Sequence, residues 1–187
     1  MKKIMIIYLL GMCLTATISP IHGQGKFLAN KGYISFFSHT AIEDITADNN
    51  LVASVIDAES GEVAIIVTMI NFQFEKKLMQ EHFNENYVES EKYPKATFNG
   101  KIVNNSEVNY SAKGDYAVRV EGEMTIHGIS QKASVEGNIV VTETGDIVAR
   151  TKFMLNPEDY NIKIPRVVLN NIAERLEISV DILHQSI

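Results

Sequence analysis

Apolar and polar residues alternate along most of the chain after Lys31, and the clearest run is "RVEGEMTIHGISQKASVEGNIVV", Arg119 to Val141. In the first arm Val118, Val120, Gly122, Met124 and Ile126 share one face, while Arg119, Glu121, Glu123 and Thr125 share the other. In the second arm Ala133, Val135, Gly137, Ile139 and Val141 continue the apolar face. Successive strand side chains point to opposite faces, so this period of two reads as a pair of half-buried strands. His127-Gly128 between the arms is short enough for a tight hairpin.

The same reading gives eight strands, over 31–38, 51–58, 62–72, 95–103, 115–127, 130–142, 146–155 and 174–184. Phe98 and Ile102, Phe153 and Leu155, and Ile178 and Val180 extend the common apolar face. The third segment, "EVAIIVTMINF", is apolar on both faces and needs a cover on its outer side. From Glu75 to Val88 the period changes. Leu78, Met79, His82, Phe83 and Tyr87 recur at helical spacing, which predicts an amphipathic helix over about 76–88. It belongs over the third strand or across a barrel mouth. "TAIEDI" (40–45) predicts a further helical turn capped by Thr40. Residues 156–173 fit either helix or loop.

Antiparallel strands with one apolar face each build a sandwich or a closed barrel, and closure removes the exposed edges. At eight strands a barrel either fills its interior or encloses one small ligand. The expected fold is therefore mainly β, an eight-stranded antiparallel barrel with one short helix. The inward glycines Gly100, Gly122 and Gly137 leave volume unfilled or permit a sharp strand bend.

The first 23 residues differ in kind. Lys2 and Lys3 precede an apolar run from Ile4 to Ile18, then Pro20 and Gly23 follow. This is the order of a secretory signal peptide, and the run is short for a membrane span of about 20 residues. The expectation is an exported chain, periplasmic or extracellular, with a single domain over 24–187. Cys13, the only cysteine, leaves with that segment unless it is lipidated. Losing Lys2 and Lys3 moves the formal charge from −6 to −8, so neither nucleic acid nor an anionic membrane surface is an expected partner.

No phosphate loop, dinucleotide fingerprint or nucleophile elbow occurs. His39, His82 and Glu43 suggest a metal or acid–base site, but no histidine spacing is diagnostic of one. At His127, in a turn, the expected role is backbone capping. His82, on the helix stripe, is expected to be a partly buried, hydrogen-bonded ring.

"FFSHT" (36–40), "HFNENYVESEKYPKATFNGKI" (82–102) and "GEMTIHGISQKASVEG" (122–137) together resemble the YceI-like family. The resemblance spans the whole chain after residue 23. It implies a lipocalin-like β-barrel, in some members with a polyisoprenoid in an apolar tunnel. Two departures are visible. "LMQEHF" replaces an Arg-Asp-containing helix pattern, and "NPEDYNIKIP" (156–165) replaces an Arg/Phe-Gly pattern near the end.

On that resemblance the chain is a binding protein for a long apolar molecule, with no catalytic residues, no metal and no other cofactor. The candidate ligand contacts are Met79 and Phe83 from the helix, with Phe98, Ile102, Val118, Val120, Met124 and Ile126 from two strands. Val135, Ile139, Phe153, Leu155, Ile178 and Val180 complete the set. Met69, Met79, Met124 and Met154 would give such a lining flexibility. Alternation alone fits equally a barrel packed with its own side chains that works through its surface. Oligomeric state has no signature in the sequence.

Overall fold

The structure is a computed structural model that describes residues 25–165, 168 and 170–187. The expected signal peptide, with Cys13 and the expected cleavage point before Gln24, lies outside the described residues.

β1 (Lys26–His39) and β2 (Asp44–Asp57) form a long antiparallel hairpin, paired from Lys26 with Asp57 to His39 with Asp44. Both strands start earlier than alternation predicted. Two outward pairs interrupt the period, Asn30-Lys31 in β1 and Asn50-Leu51 in β2, where the register shifts. Between the strands, residues 40–45 form a turn and a strand start, not the expected helical turn. Thr40 Oγ1 does accept the Glu43 and Ile42 amides, at 3.1 and 3.2 Å. Its own amide, however, donates to the Glu43 carbonyl at 3.2 Å and folds the chain straight back.

The third apolar segment is broken in two. β3 (Glu62–Thr68) pairs with the second half of β2, and β4 (Gln73–Phe74) with the first half. A single 3₁₀ turn, Met69–Asn71, lies between them. The Asn49 amide donates to the Thr68 carbonyl at 3.0 Å, in the gap where a ladder bond would stand. α1 (Lys77–His82) then runs into a wider π turn over Phe83–Tyr87. The predicted amphipathic segment is thus two short pieces, and it goes to the barrel mouth. The outer face of the third segment stays uncovered, with Ile66 and Ile70 exposed.

β5 (Lys95–Ile102), β6 (Gly114–Ile126), β7 (Ile129–Val141), β8 (Ile147–Leu155) and β9 (Leu176–Ser186) complete the wall. The strand order is β1-β9-β8-β7-β6-β5-β3-β2, and β2 pairs back onto β1, so the barrel closes with every pairing antiparallel. β6 and β7 meet at the expected two-residue hairpin. His127 and Gly128 both take positive φ, 51° and 74°, as a type I′ turn requires. The seam between β7 and β8 is paired only from Gly137–Thr151 to Val141–Ile147. Beyond it the Thr151 hydroxyl donates to the Glu136 carbonyl at 2.6 Å, and Gln131 donates to the Asp159 carbonyl of the turn Pro157–Tyr160 at 3.0 Å. Among the described residues no helix is long and apolar enough to cross a membrane.

One end of the barrel is plugged. Phe27 stacks on Tyr110 with ring centroids 5.7 Å apart, over a layer that includes Ile56, Ile102, Val141 and Ile147. Tyr110 donates to Asn105 at 2.7 Å, and Asn105 donates to the Ala58 carbonyl at 2.7 Å, which pins the 103–113 loop across this end. Burial pushes the Tyr110 phenol up to about 12.

Gly100 and Gly122 do not leave space. They pair across β5 and β6, and the Phe98 ring lies over both. A β-carbon built at Gly122 would sit 2.5 Å from the Gly100 Cα and 2.8 Å from the Phe98 ring. Gly122→Ala is therefore expected to destabilise the barrel by about 1–3 kcal/mol through overpacking. Urea unfolding measures this, and a stability equal to wild type would show that β5 and β6 can separate at no cost.

Candidate ligand-binding lumen

Period two places one apolar set of side chains inside the closed wall, and its burial changes along the axis. Toward the plugged end Phe98, Ile102, Val118 and Ile139 are buried. Toward the mouth Val120, Met124, Ile126, Val135, Phe153, Leu155, Ile178 and Val180 point inward yet keep part of their surface accessible. Inward side chains with free surface mean unfilled volume. The lumen encloses about 420 Å³, within the roughly 300–1,000 Å³ of small-molecule sites.

All fourteen candidate contact residues border this one cavity, Met79 and Phe83 from the helix included. The methionines divide. Met69, Met79 and Met124 face the lumen, whereas Met154 falls in the opposite phase of β8 from Phe153 and Leu155 and points out, exposed. Other lining residues were not among the expected contacts. Phe36, Phe72 and Phe74 gather around Phe83 at the mouth, with centroids 5.6, 5.5 and 5.1 Å from its ring. Ile164, Val168 and Ile172 cover the mouth from the opposite side.

Polar groups hold that cover in place. Ser38 is buried, and its hydroxyl accepts the Ala173 amide at 2.8 Å. Glu43 bonds Lys76 at 2.6 Å and accepts from Asn171 at 3.4 Å, joining the β1–β2 turn to the start of α1 and to the covering loop. The Lys76 ammonium, with help from Asn171, holds the Glu43 carboxyl below the usual carboxylate range.

The imagined histidine site does not assemble. His39 faces out and bonds Asp44 at 2.6 Å, while Glu43 is engaged by Lys76. His82 is exposed at the mouth rather than partly buried. His127 does not cap its own turn but reaches to other loops. Its Nε2 bonds Glu89 at 2.7 Å and its Nδ1 bonds the Tyr160 carbonyl at 3.1 Å, which braces three loops around the mouth. Among the described residues no three histidine, cysteine, aspartate or glutamate side chains come close enough to hold a metal ion.

One lumen feature was missed altogether. His184 of β9 and Ser54 of β2 are buried in the wall and bonded to each other at 2.8 Å. The His184 Nδ1–H donates to the Ile182 carbonyl at 3.0 Å, so Nε2 is the acceptor and Ser54 the donor. Burial drives the imidazole down to about 4. Residue 184 continues the inward series Ile178, Val180, Ile182, and that phase was the available signal.

The comparisons with known proteins agree with this architecture. A family model described as the YceI-like domain matches residues 18–183. Among solved structures, a polyisoprenoid binding domain from Saccharophagus degradans, implicated in plant cell wall breakdown, superposes with a TM-score of 0.75 at 14% identity. That match covers 87% of this chain and 99% of the other. Burkholderia cenocepacia BcnA gives a TM-score of 0.67 at 13% identity, covering 81% and 95%. A Campylobacter jejuni YceI protein gives 0.60 at 14% identity, covering 98% and 100%. These likenesses establish the fold. No curated protein matches the chain.

The buried imidazole makes stability depend on pH. Its ordinary value is 6.5, so on acidification the unfolded chain takes up a proton that the folded chain refuses until about pH 4. Stability is therefore lost as pH falls through this window, by about 3 kcal/mol when complete. His184→Leu should lose that much less than wild type between neutral pH and pH near 4, measured by urea unfolding. Equal losses in the two proteins would show that His184 titrates normally.

Proposed function

Because the chain belongs to the YceI-like domain family, we propose that it is an exported carrier holding a long apolar, isoprenoid-like lipid in its lumen. The observation that carries this reading is the unfilled, apolar-walled interior, where inward side chains near the mouth retain free surface. The polyisoprenoid named for the Saccharophagus degradans domain is consistent with it. Each methylene moved from water into such a wall is worth roughly 0.8 kcal/mol before the cost of ordering the chain. Affinity of this kind grows with buried length and discriminates little between branched and straight hydrocarbons. Met69, Met79 and Met124 add side chains that can repack around either.

The mouth supplies the rest of the design. Phe36, Phe72, Phe74 and Phe83 pack into an apolar ring cluster that lines the throat. A hydrocarbon passing this throat stays out of water along its whole path. The signal-peptide-like order of Met1–Gly23 supports a carrier that works outside the cytoplasm, where lipids move between membranes through water. A carrier needs no catalytic group, and the site we assign is the fourteen wall residues named above.

Protein purified from its own host, extracted with organic solvent and analysed by mass spectrometry, should release a long-chain lipid in near-stoichiometric amount. An extract with no lipid, from protein that also takes up none when offered it, would contradict the reading. Met124→Lys is a sharper test. It puts an ammonium into the apolar lumen and should abolish lipid uptake, while an outward Met154→Lys should not. Normal loading of folded Met124→Lys would refute the assigned site.

A further inference from the structure

The Ser54–His184 pair stands where the wall is otherwise apolar. Their neighbours in the lumen are Ile56, Ile65, Ala149 and Ile182. The pair is also long-range, because β1 lies between β9 and β2. Ala29, paired with Ser54 and adjacent to the Leu28–Gln185 pair, is small enough for the imidazole to reach across. Two apolar side chains of similar shape would serve the fold about as well, since the net gain from a buried neutral hydrogen bond is small. Stability alone gives no reason for the pair.

Its hydrogen-bond count gives one. The Ile182 carbonyl can only accept, which fixes the imidazole proton on Nδ1. Nε2 then takes the Ser54 proton. Both donors are consumed, and what remains is a lone pair on Ser54 Oγ, which borders the cavity and has no second partner among the described residues. An imidazole held at about 4 is a weak base, so the pair offers a stationary acceptor rather than an activated nucleophile.

We propose that Ser54 and His184 form a head-group site near the plugged end of the lumen, which accepts the hydroxyl of a long-chain alcohol loaded hydroxyl first. This rests on the carrier reading and narrows it. An alcohol brings the donor that the Ser54 lone pair lacks. An ether or ester brings only acceptors and leaves that lone pair facing another. A phosphate or carboxylate would bury an unpaired charge in an apolar wall. Discrimination of this kind is large relative to a methyl group, because the mismatched polar atoms are left unpaired.

The test uses delipidated full-length protein with N-phenylnaphthylamine in the lumen, displaced by farnesol or by farnesyl methyl ether. The ether is the more hydrophobic of the two, so burial alone favours it. The proposal expects farnesol to bind about tenfold more tightly, and expects Ser54→Ala to bring the two to equal affinity. On wild type, farnesol should also shift the His184 imidazole nitrogen resonances where the ether does not, a readout that does not depend on the variant folding. Equal binding of both probes to wild type, or a farnesol preference that survives Ser54→Ala, overturns the head-group site and leaves the carrier reading standing. Failure of both probes to displace the dye overturns the carrier reading as well.

Discussion

The structure depends on one geometric constraint, the closure of eight antiparallel strands into a ring by the pairing of β1 with both β2 and β9. Closure fixes the circumference, and the circumference fixes how far inward side chains must reach to meet at the axis. At the plugged end they do meet, because the loop carrying Val108 and Tyr110 folds inward and adds its own side chains. Toward the mouth the inward side chains, Val120, Met124, Ile126, Val135, Phe153, Leu155, Ile178 and Val180, have no such loop between them and do not span the distance. The lumen is what remains. It follows from strand number and side-chain size together, and neither alone would produce it.

The polar groups can be understood from the same constraint. A hollow barrel loses the cohesion of a packed core, so its loops must be tied by other means. Glu43 and His127 each bond two other segments at the mouth and Ser38 bonds one, while Asn105 ties its loop to Ala58 at the plugged end. These contacts hold the covering loop and α1 over the throat without filling it. His184 and Ser54 are of another kind, since they bond across the wall and fasten no loop.

Much of this was legible in the sequence, for a physical reason. A half-buried strand repeats every two residues whatever its neighbours do, so the inward set Val118 to Ile126 and its return Ala133 to Val141 could be read directly. The His127-Gly128 turn followed from its length. Failures came where a local device overrode the period. Outward pairs at Asn30-Lys31 and Asn50-Leu51 hid the first halves of β1 and β2. The Asn49 side chain broke the third segment at Met69. Thr40 bonded as a helix cap does, in a turn that reverses the chain. Tyr160, Asn171 and Ala173, in the segment that fits either helix or loop, are held by tertiary bonds from His127, Glu43 and Ser38, which leave no period in the sequence. The glycines misled for a different reason. Alternation located Gly100 and Gly122 inside but could not show that Phe98 folds over them.

The interior beyond Phe98 is an apolar cavity that the protein's own side chains do not fill. Crystals of the delipidated protein held under xenon pressure test this directly, because empty apolar cavities bind xenon and filled or hydrated ones do not. Xenon peaks are expected along the axis between Val120 and Phe83, in contact with Met124 and Ile178. A lumen without xenon, or one holding a chain of ordered waters, would contradict it.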